Sequence, residues 1–235
     1  MKTPLLLVNF KTYIEATGKK SIELAKIAEQ VARDQGVNIA VAPQFSDLKP
    51  VSEAVDIPVF SQHIDPIRPG PFTGHVLAEA VRSAGAAGTL INHSERRIKI
   101  SEIEETLEIA RSAELATIVC ANTAGVGAAV AALNPNIIAI EPPELIGGGV
   151  AVSKAQPELI TRSVTRIRDV NDAVKILCGA GVSYPEDVTS ALTLGTDGVL
   201  VASSVVKNKD PLKLLQEMAQ AIVDIRTIRV PKQGL

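Results

Sequence analysis

The sequence predicts an α/β fold: a closed (β/α)8 barrel of eight parallel strands with outer helices. Three observations predict it. Eight short segments are continuously apolar, as strands covered on both faces are. Each is followed by a stretch of helical periodicity, and strict alternation of this kind gives parallel strands with right-handed crossovers. The eight units fit in 235 residues with no linker or shift in composition, close to the roughly 250 typical of such a barrel. Residues 1–235 therefore read as one domain. The rival is an open doubly wound sheet, which normally carries a glycine-rich fingerprint after its first strand. Here that place holds Asn9-Phe10-Lys11.

In order, strand one covers 5–8. Leu24, Ala25, Ala28, Val31 and Ala32 then repeat at three and four, predicting a helix stopped by Gly36. Strand two, 39–42, closes at Pro43, and Ser46 is placed to cap a helix through Val55. Val59 and Phe60 make strand three, before a loop rich in proline and glycine over 65–74 and a helix over 76–84. Strand four is 89–91. Ser101 and Glu104 have capping-box spacing for a helix to about Glu114. Strand five, 117–121, precedes an alanine-rich helix over 123–133. Strand six is 137–140. Pro157 suits the first turn of a helix to about Val170. Strand seven, 174–178, leads to a second box at Ser183 and Glu186 and a helix to Leu194. Strand eight, 198–201, precedes a last helix opened by Asp210-Pro211 and running to about Ile225.

Composition excludes several functions. With 24 basic and 26 acidic residues, nothing attracts nucleic acid or an anionic membrane. Aromatics are 3%, with no Trp, so platforms for stacking bases are not expected. No apolar run approaches the roughly 20 residues of a membrane helix, and 5–8 is too short for a signal core. Cys120 and Cys178 make no disulfide framework. His63, His75 and His93 lack metal-ligand spacing, so no metal is expected. These features predict a soluble protein of the cytoplasm.

In such a barrel the loops after the strands build the site. Strand six ends in Glu141, then Pro142-Pro143 and three glycines, Gly147 to Gly149. Charge at a buried strand tip fits a general base, and the glycines fit a moving lid or an anion cradle. The plain alternative is an exposed Glu opening an ordinary loop. Strand one offers Asn9 and Lys11; strand four offers His93 and Glu95; strands seven and eight offer glycine-bearing tips. A lone Lys is usually a solvated surface group, and a lone His a hydrogen-bonded structural one. Together on one rim they make a base, an electrophile, a cation and an anion cradle.

These residues also carry a family resemblance. Asn9-Phe10-Lys11, Asn92-His93-Ser94-Glu95-Arg96-Arg97, Glu141-Pro142-Pro143-Glu144-Leu145-Ile146-Gly147 and Cys178-Gly179-Ala180-Gly181-Val182 stand in the order and spacing of the triosephosphate isomerases. The chain resembles that family over essentially its full length, most of all its short archaeal-type form. The resemblance implies a TIM barrel and a cofactor-free aldose–ketose isomerisation of triose phosphates.

It also implies roles. Glu141 would be the base, its basicity raised when the lid excludes water. His93 would be the electrophile, and this family is itself the standard illustration of a neutral imidazole kept so by a helix N-terminus; Ser94, Glu95 and Arg96 would supply those amides. Lys11 would neutralise the growing negative charge. Asn9 would donate to the same oxygen or position Lys11. Glu95 would pair with Lys11, its plain alternative being a first-turn helix acid. Arg96 and Arg97 read as structural or interfacial, and Cys120 as packing behind the base. Gly181, Ala202 and Ser203, with lid amides at Ile146 and Gly147, would hold the phosphate. Here the chain departs from the commoner pattern: Gly181 replaces a serine, and Ala202-Ser203 replaces two glycines. The lid, 142–150, would also prevent loss of phosphate from the enediolate.

Two other functions fit the tips less well. Another phosphosugar isomerase or lyase usually lacks a first-strand Lys with a fourth-strand His. A non-catalytic phospholigand-binding barrel need not keep Glu141 or His93. The loop over 65–74 is long for a plain connection. The family uses it across a subunit interface, so a homo-oligomer is expected, a tetramer rather than a dimer.

Overall fold

The eight apolar runs form eight strands in the computed structural model, which describes residues 2–142 and 156–229, without the side chains of 228 and 229. They are β1 (Leu5–Asn9), β2 (Asn38–Ala42), β3 (Phe60–Ser61), β4 (Gly88–Ile91), β5 (Ala116–Ala121), β6 (Ile137–Ile140), β7 (Lys175–Cys178) and β8 (Gly198–Val201). Every pairing is parallel, in the order β2-β1-β8-β7-β6-β5-β4-β3. The outermost strands meet through a parallel bridge between Val41 and Val59, where the Val41 amide donates to Pro58 O at 3.1 Å. The sheet thus closes into a barrel, and all strand C-termini open on one rim.

Alternation along each strand splits the core in two. Leu5, Leu7, Phe60, Ile118, Ile137 and Leu200 point inward and fill the barrel. Their neighbours Leu6, Val8, Val119, Ile138, Ile176 and Val199 point outward and are covered by helices. Phe60 takes up room that a second side chain would need: a Cβ on Gly88 would run into its ring and into the Ala116 carbonyl. Cys120 faces inward and Cys178 outward, so the two cysteines lie in different layers of the core.

The described helices are α1 (Lys19–Gln35), α2 (Leu48–Ser52), α3 (Ala78–Ser83), α4 (Ile100–Ser112), α5 (Ala124–Ala131), α6 (Pro157–Val170), α7 (Pro185–Thr193), α8 (Ser203–Val206) and α9 (Pro211–Arg229). Gly36 stops α1 as expected, with φ 64° and its amide closed on Ala32 O. Thr123 Oγ1 caps α5, and Asp210 Oδ1 accepts the Lys213 amide to cap α9.

Three expected starts are wrong. Ser46 caps nothing; it lies within a 3-10 turn, Phe45–Asp47, ahead of α2. At α4 the working carboxylate is Glu102, which accepts the Lys99 amide at 2.6 Å, two residues earlier than the Ser101–Glu104 box. At α7 it is Asp187, which accepts the Ser183 and Tyr184 amides at 2.9 Å each, so the box is one residue later than Ser183–Glu186. The acid must be the third helical residue, so where the chain enters the helix decides which acid works. The short α8 at the eighth strand tip was not expected at all.

Among the described residues, no helix is long and apolar enough to cross a membrane, and no three His, Cys, Asp or Glu side chains gather as metal ligands would.

Candidate active site

Strand β6 carries Glu141 to the rim, and its neighbours fix it there. The Glu141 amide donates to Ala121 O at 2.8 Å, and the Gly179 amide to Ile140 O at 3.0 Å. The side chain then lies against Gly179, where an added Cβ would come within 2.7 Å of Glu141 Cγ. Position 179 must therefore be glycine for the carboxylate to lie inside. Glu141 is 1% exposed, and neither oxygen meets a donor in good hydrogen-bond geometry. Burial lifts its pKa above the ordinary carboxylate value. His93, the Cys120 thiol, the Ser94 amide and Lys11 lie close enough to favour the anion but do not offset burial. Cys120 sits behind it, its thiol pushed well up by burial and by Glu141. A buried carboxylate with raised basicity and no strong partner is equipped to take a proton.

The turn after β4 is held at both ends by Asn92, which sits in the left-handed region at φ 59°. Its Nδ2 donates to Cys120 O at 3.0 Å, and its Oδ1 accepts the Ile98 amide at 3.0 Å. Between these anchors the Glu95 amide donates to His93 Nδ1 at 3.2 Å. An accepting Nδ1 carries no proton, so a neutral ring carries it on Nε2. Nε2 is the nitrogen that faces Glu141, 3.5 Å from Oε1.

Lys11, after β1, is also left-handed, at φ 48°. Its amide donates to Asn9 Oδ1 at 2.9 Å, and its carbonyl accepts from Gln62 Nε2 at 2.8 Å. Gln62 donates as well to Ala42 O at 3.0 Å, tying β2 and β3 to the Lys11 turn where the barrel closes. The ammonium lies 2.7 Å from Glu95 Oε1, a carboxylate 56% exposed. A pair with so exposed a partner contributes at most about 1 kcal/mol, so an anionic ligand can replace Glu95 beside Lys11.

Lys11 and His93 line a cavity of about 200 Å³ together with Gly181, Ala202 and Ser203, while Glu141 lines a separate recess of about 30 Å³ with Ser94 and Cys120. Gly181 has φ 71°. Ser204 Oγ donates to Val182 O at 3.0 Å and joins the seventh and eighth loops. The first amides of α8 have no partner within the helix, so this end of the cavity suits an anionic group, and His93 with Lys11 forms the other. A larger cavity of about 620 Å³ lies at the opposite end of the barrel, beside Arg111, Asn136 and Lys175. None of the candidate residues reaches it.

The fold thus gathers Asn9, Lys11, His93, Ser94, Glu95, Cys120 and Glu141 on one rim, with Gly181, Ala202 and Ser203 lining the cavity. Ile146 and Gly147 lie outside the described residues, as does the lid beyond Pro142. Sequence reasoning missed Gln62, Gly179 and Asn92 as supports. Each stands immediately past a strand, but glycine and asparagine are ordinary turn residues there, and Gln62 meets Lys11 only across 51 residues.

A family model for triosephosphate isomerase matches residues 4–218. Triosephosphate isomerase of Methanocaldococcus jannaschii is 50% identical over 218 residues, 93% of this chain and all of that protein. The Methanosarcina mazei enzyme is 49% identical over 222 residues, 94% of this chain and all of its own. That of Methanothermus fervidus is 50% identical over 218 residues, 93% of this chain and 98% of its own. Matched over nearly its whole length by that family's model and by isomerases of three methanogens, the chain belongs to the triosephosphate isomerase family.

Proposed function

We propose that this chain interconverts dihydroxyacetone phosphate and D-glyceraldehyde 3-phosphate through an enediolate, with no cofactor. The observation that carries the reading is the Glu141 carboxylate, buried and 3.5 Å from His93 Nε2, on the rim that also holds Lys11. A hydrogen on carbon next to a carbonyl is a very weak acid. Its removal needs a positioned base and donors aimed at the oxygen where charge develops.

Glu141 takes that proton. His93 Nε2–H donates to the carbonyl oxygen, and Lys11 offsets the new negative charge. His93 gives its Nε2 proton to the enediolate oxygen and takes up the hydroxyl proton from the neighbouring oxygen; protonated Glu141 returns its proton to the neighbouring carbon, and the carbonyl reforms one position along. Asn9 positions Lys11, and Glu95 holds the ammonium until substrate arrives. Ser94 and Cys120 wall the base. Gly181, Ala202 and Ser203 receive the phosphate, with Ile146 and Gly147 joining from the lid.

A coupled assay with both triose phosphates, run beside Glu141→Gln, tests the reading. Wild-type turnover lost in the variant supports it. A thermal shift with 2-phosphoglycolate but no turnover would support a non-catalytic binding barrel instead.

We further propose that residues 1–235 act as one barrel unit in the cytoplasm and assemble as a homotetramer. Exposed Ile14, Phe45 and Phe72 support association, since they lie on the loops after three neighbouring strands, β1, β2 and β3. Light scattering in solution tests the stoichiometry.

A further inference from the structure

Asp65 is a buried carboxylate outside the cavity, at the start of the proline-rich loop after β3. It gathers four groups. Oδ2 accepts the Val76 amide at 2.6 Å and lies 3.5 Å from His75 Nδ1. Oδ1 lies 3.0 Å from Arg96 Nη2 and 3.1 Å from His63 Nε2. The Asp65 amide also donates to Val76 O at 2.9 Å, so one residue fastens both ends of the loop. Burial alone would raise this carboxyl, yet the Val76 amide, His63 and Arg96 hold it below its ordinary value. It is an anion. Burial, then Arg96, keeps His63 below its ordinary value, so His63 serves as a neutral donor.

Arg96 is what connects this cluster to the cavity. Its amide donates to His93 O at 2.7 Å, while its guanidinium reaches back to Asp65. Between these two contacts lies Glu95, whose amide orients His93 Nδ1 and whose carboxylate holds Lys11. The turn over 93–96 is thus clamped from outside the cavity by one charged contact.

We propose that Asp65 is a positioning residue: through Arg96 it fixes the 93–96 turn, and so the aim of His93 Nε2 at the substrate oxygen. The inference rests on the isomerase reading above. It gives the long loop a task within its own subunit, which is to make the electrophile's geometry depend on that loop being in place. Asp65 touches no substrate, and the Gly181, Ala202 and Ser203 end of the cavity shares none of its contacts.

The test is steady-state kinetics on the full chain. Asp65→Asn keeps the shape and the Val76 contact but removes the charge. It is expected to lower kcat about tenfold with KM within about twofold, since small misplacement of a catalytic group costs rate steeply. Arg96→Gln should do the same, and the double variant should be no slower than either alone, because both break one contact. Nitrogen-15 NMR of His93 should show altered ring shifts in all three. Should Asp65→Asn fail to fold, Arg96→Gln alone must still show the loss in kcat and the altered ring. A folded Asp65→Asn with wild-type kcat overturns the inference, as do losses that multiply in the double variant or a KM that rises in step. Absence of wild-type turnover with either triose phosphate would instead overturn the isomerase reading itself, so the two failures are distinct.

Discussion

Replacing Glu141 by Gln should make the protein more stable while abolishing turnover. The raised pKa is a stability statement: with every neighbour included, the fold disfavours the charged carboxylate relative to the unfolded chain. Both oxygens lack a well-formed hydrogen bond, and an unsatisfied buried polar group costs about 1–3 kcal/mol, more when charged. Gln keeps the shape and still has an amide to satisfy, so only part of that is recovered. We expect a gain of about 1–2 kcal/mol at neutral pH, which in a domain of this size is a melting point higher by about 2–8 °C.

The pH dependence gives the prediction its discriminating power. The unfolded carboxyl ionises near the ordinary 4.5, and the folded one only at higher pH. Below both values Glu141 is neutral in either state, and the wild type and variant should melt close together. As pH rises between the two values, the unfolded wild type ionises and gains stability while the folded state cannot follow. Wild-type stability falls across that window and levels off once the folded carboxyl ionises. Calorimetric melts of both proteins from about pH 4 to pH 8 measure the difference. A variant that melts at or below the wild type at pH 8, or a gap that does not change with pH, would refute the argument that the fold strains this charge.

Three other outcomes follow from the same geometry. Gly179→Ala puts a methyl against Glu141 Cγ, so kcat should fall at least about tenfold and stability by about 1–3 kcal/mol, read by kinetics and thermal melts. Gln62→Ala takes the donor from the Lys11 carbonyl, while Ala42 O keeps the Phe10 amide; it should cost about 1–3 kcal/mol and weaken 2-phosphoglycolate binding measured by calorimetry. The acid limb of kcat/KM, corrected for the second ionisation of the substrate phosphate near about 6, should fall as pH drops through the raised Glu141 pKa; a profile flat to pH 4.5 would contradict a buried base.

The strands were legible because their signal is local and redundant. A continuously apolar run such as 137–140 has few other places to go once helical segments flank it. Helix entries were less legible. The choice between Glu102 and Glu104, or between Asp187 and Glu186, turns on where the backbone leaves the preceding loop, and one sequence records that only weakly. The rim residues were visible as chemistry placed at strand ends. Their supports were not, since Gln62 meets Lys11 across 51 residues and Asp65 meets Arg96 across 31. Neither pair shares a motif or a periodicity.

What unites the supports is that each upholds something the local rules disfavour. Lys11 and Asn92 take left-handed backbones that non-glycine residues seldom adopt. Glu141 is a buried carboxylate at the end of β6, and Asp65 is another at the start of the loop after β3. Such departures concentrate where chemistry needs a group held against its preference. Here Asn9 and Gln62 stabilise the first, Cys120 O and the Ile98 amide the second, and Gly179 makes room for the third. Asp65 differs in being satisfied on both oxygens. A charge that is buried and yet fully partnered acts as an anchor, whereas one that is buried and left short of partners is reactive. The fold places the anchored carboxylate where it can hold the electrophile steady for the reactive one.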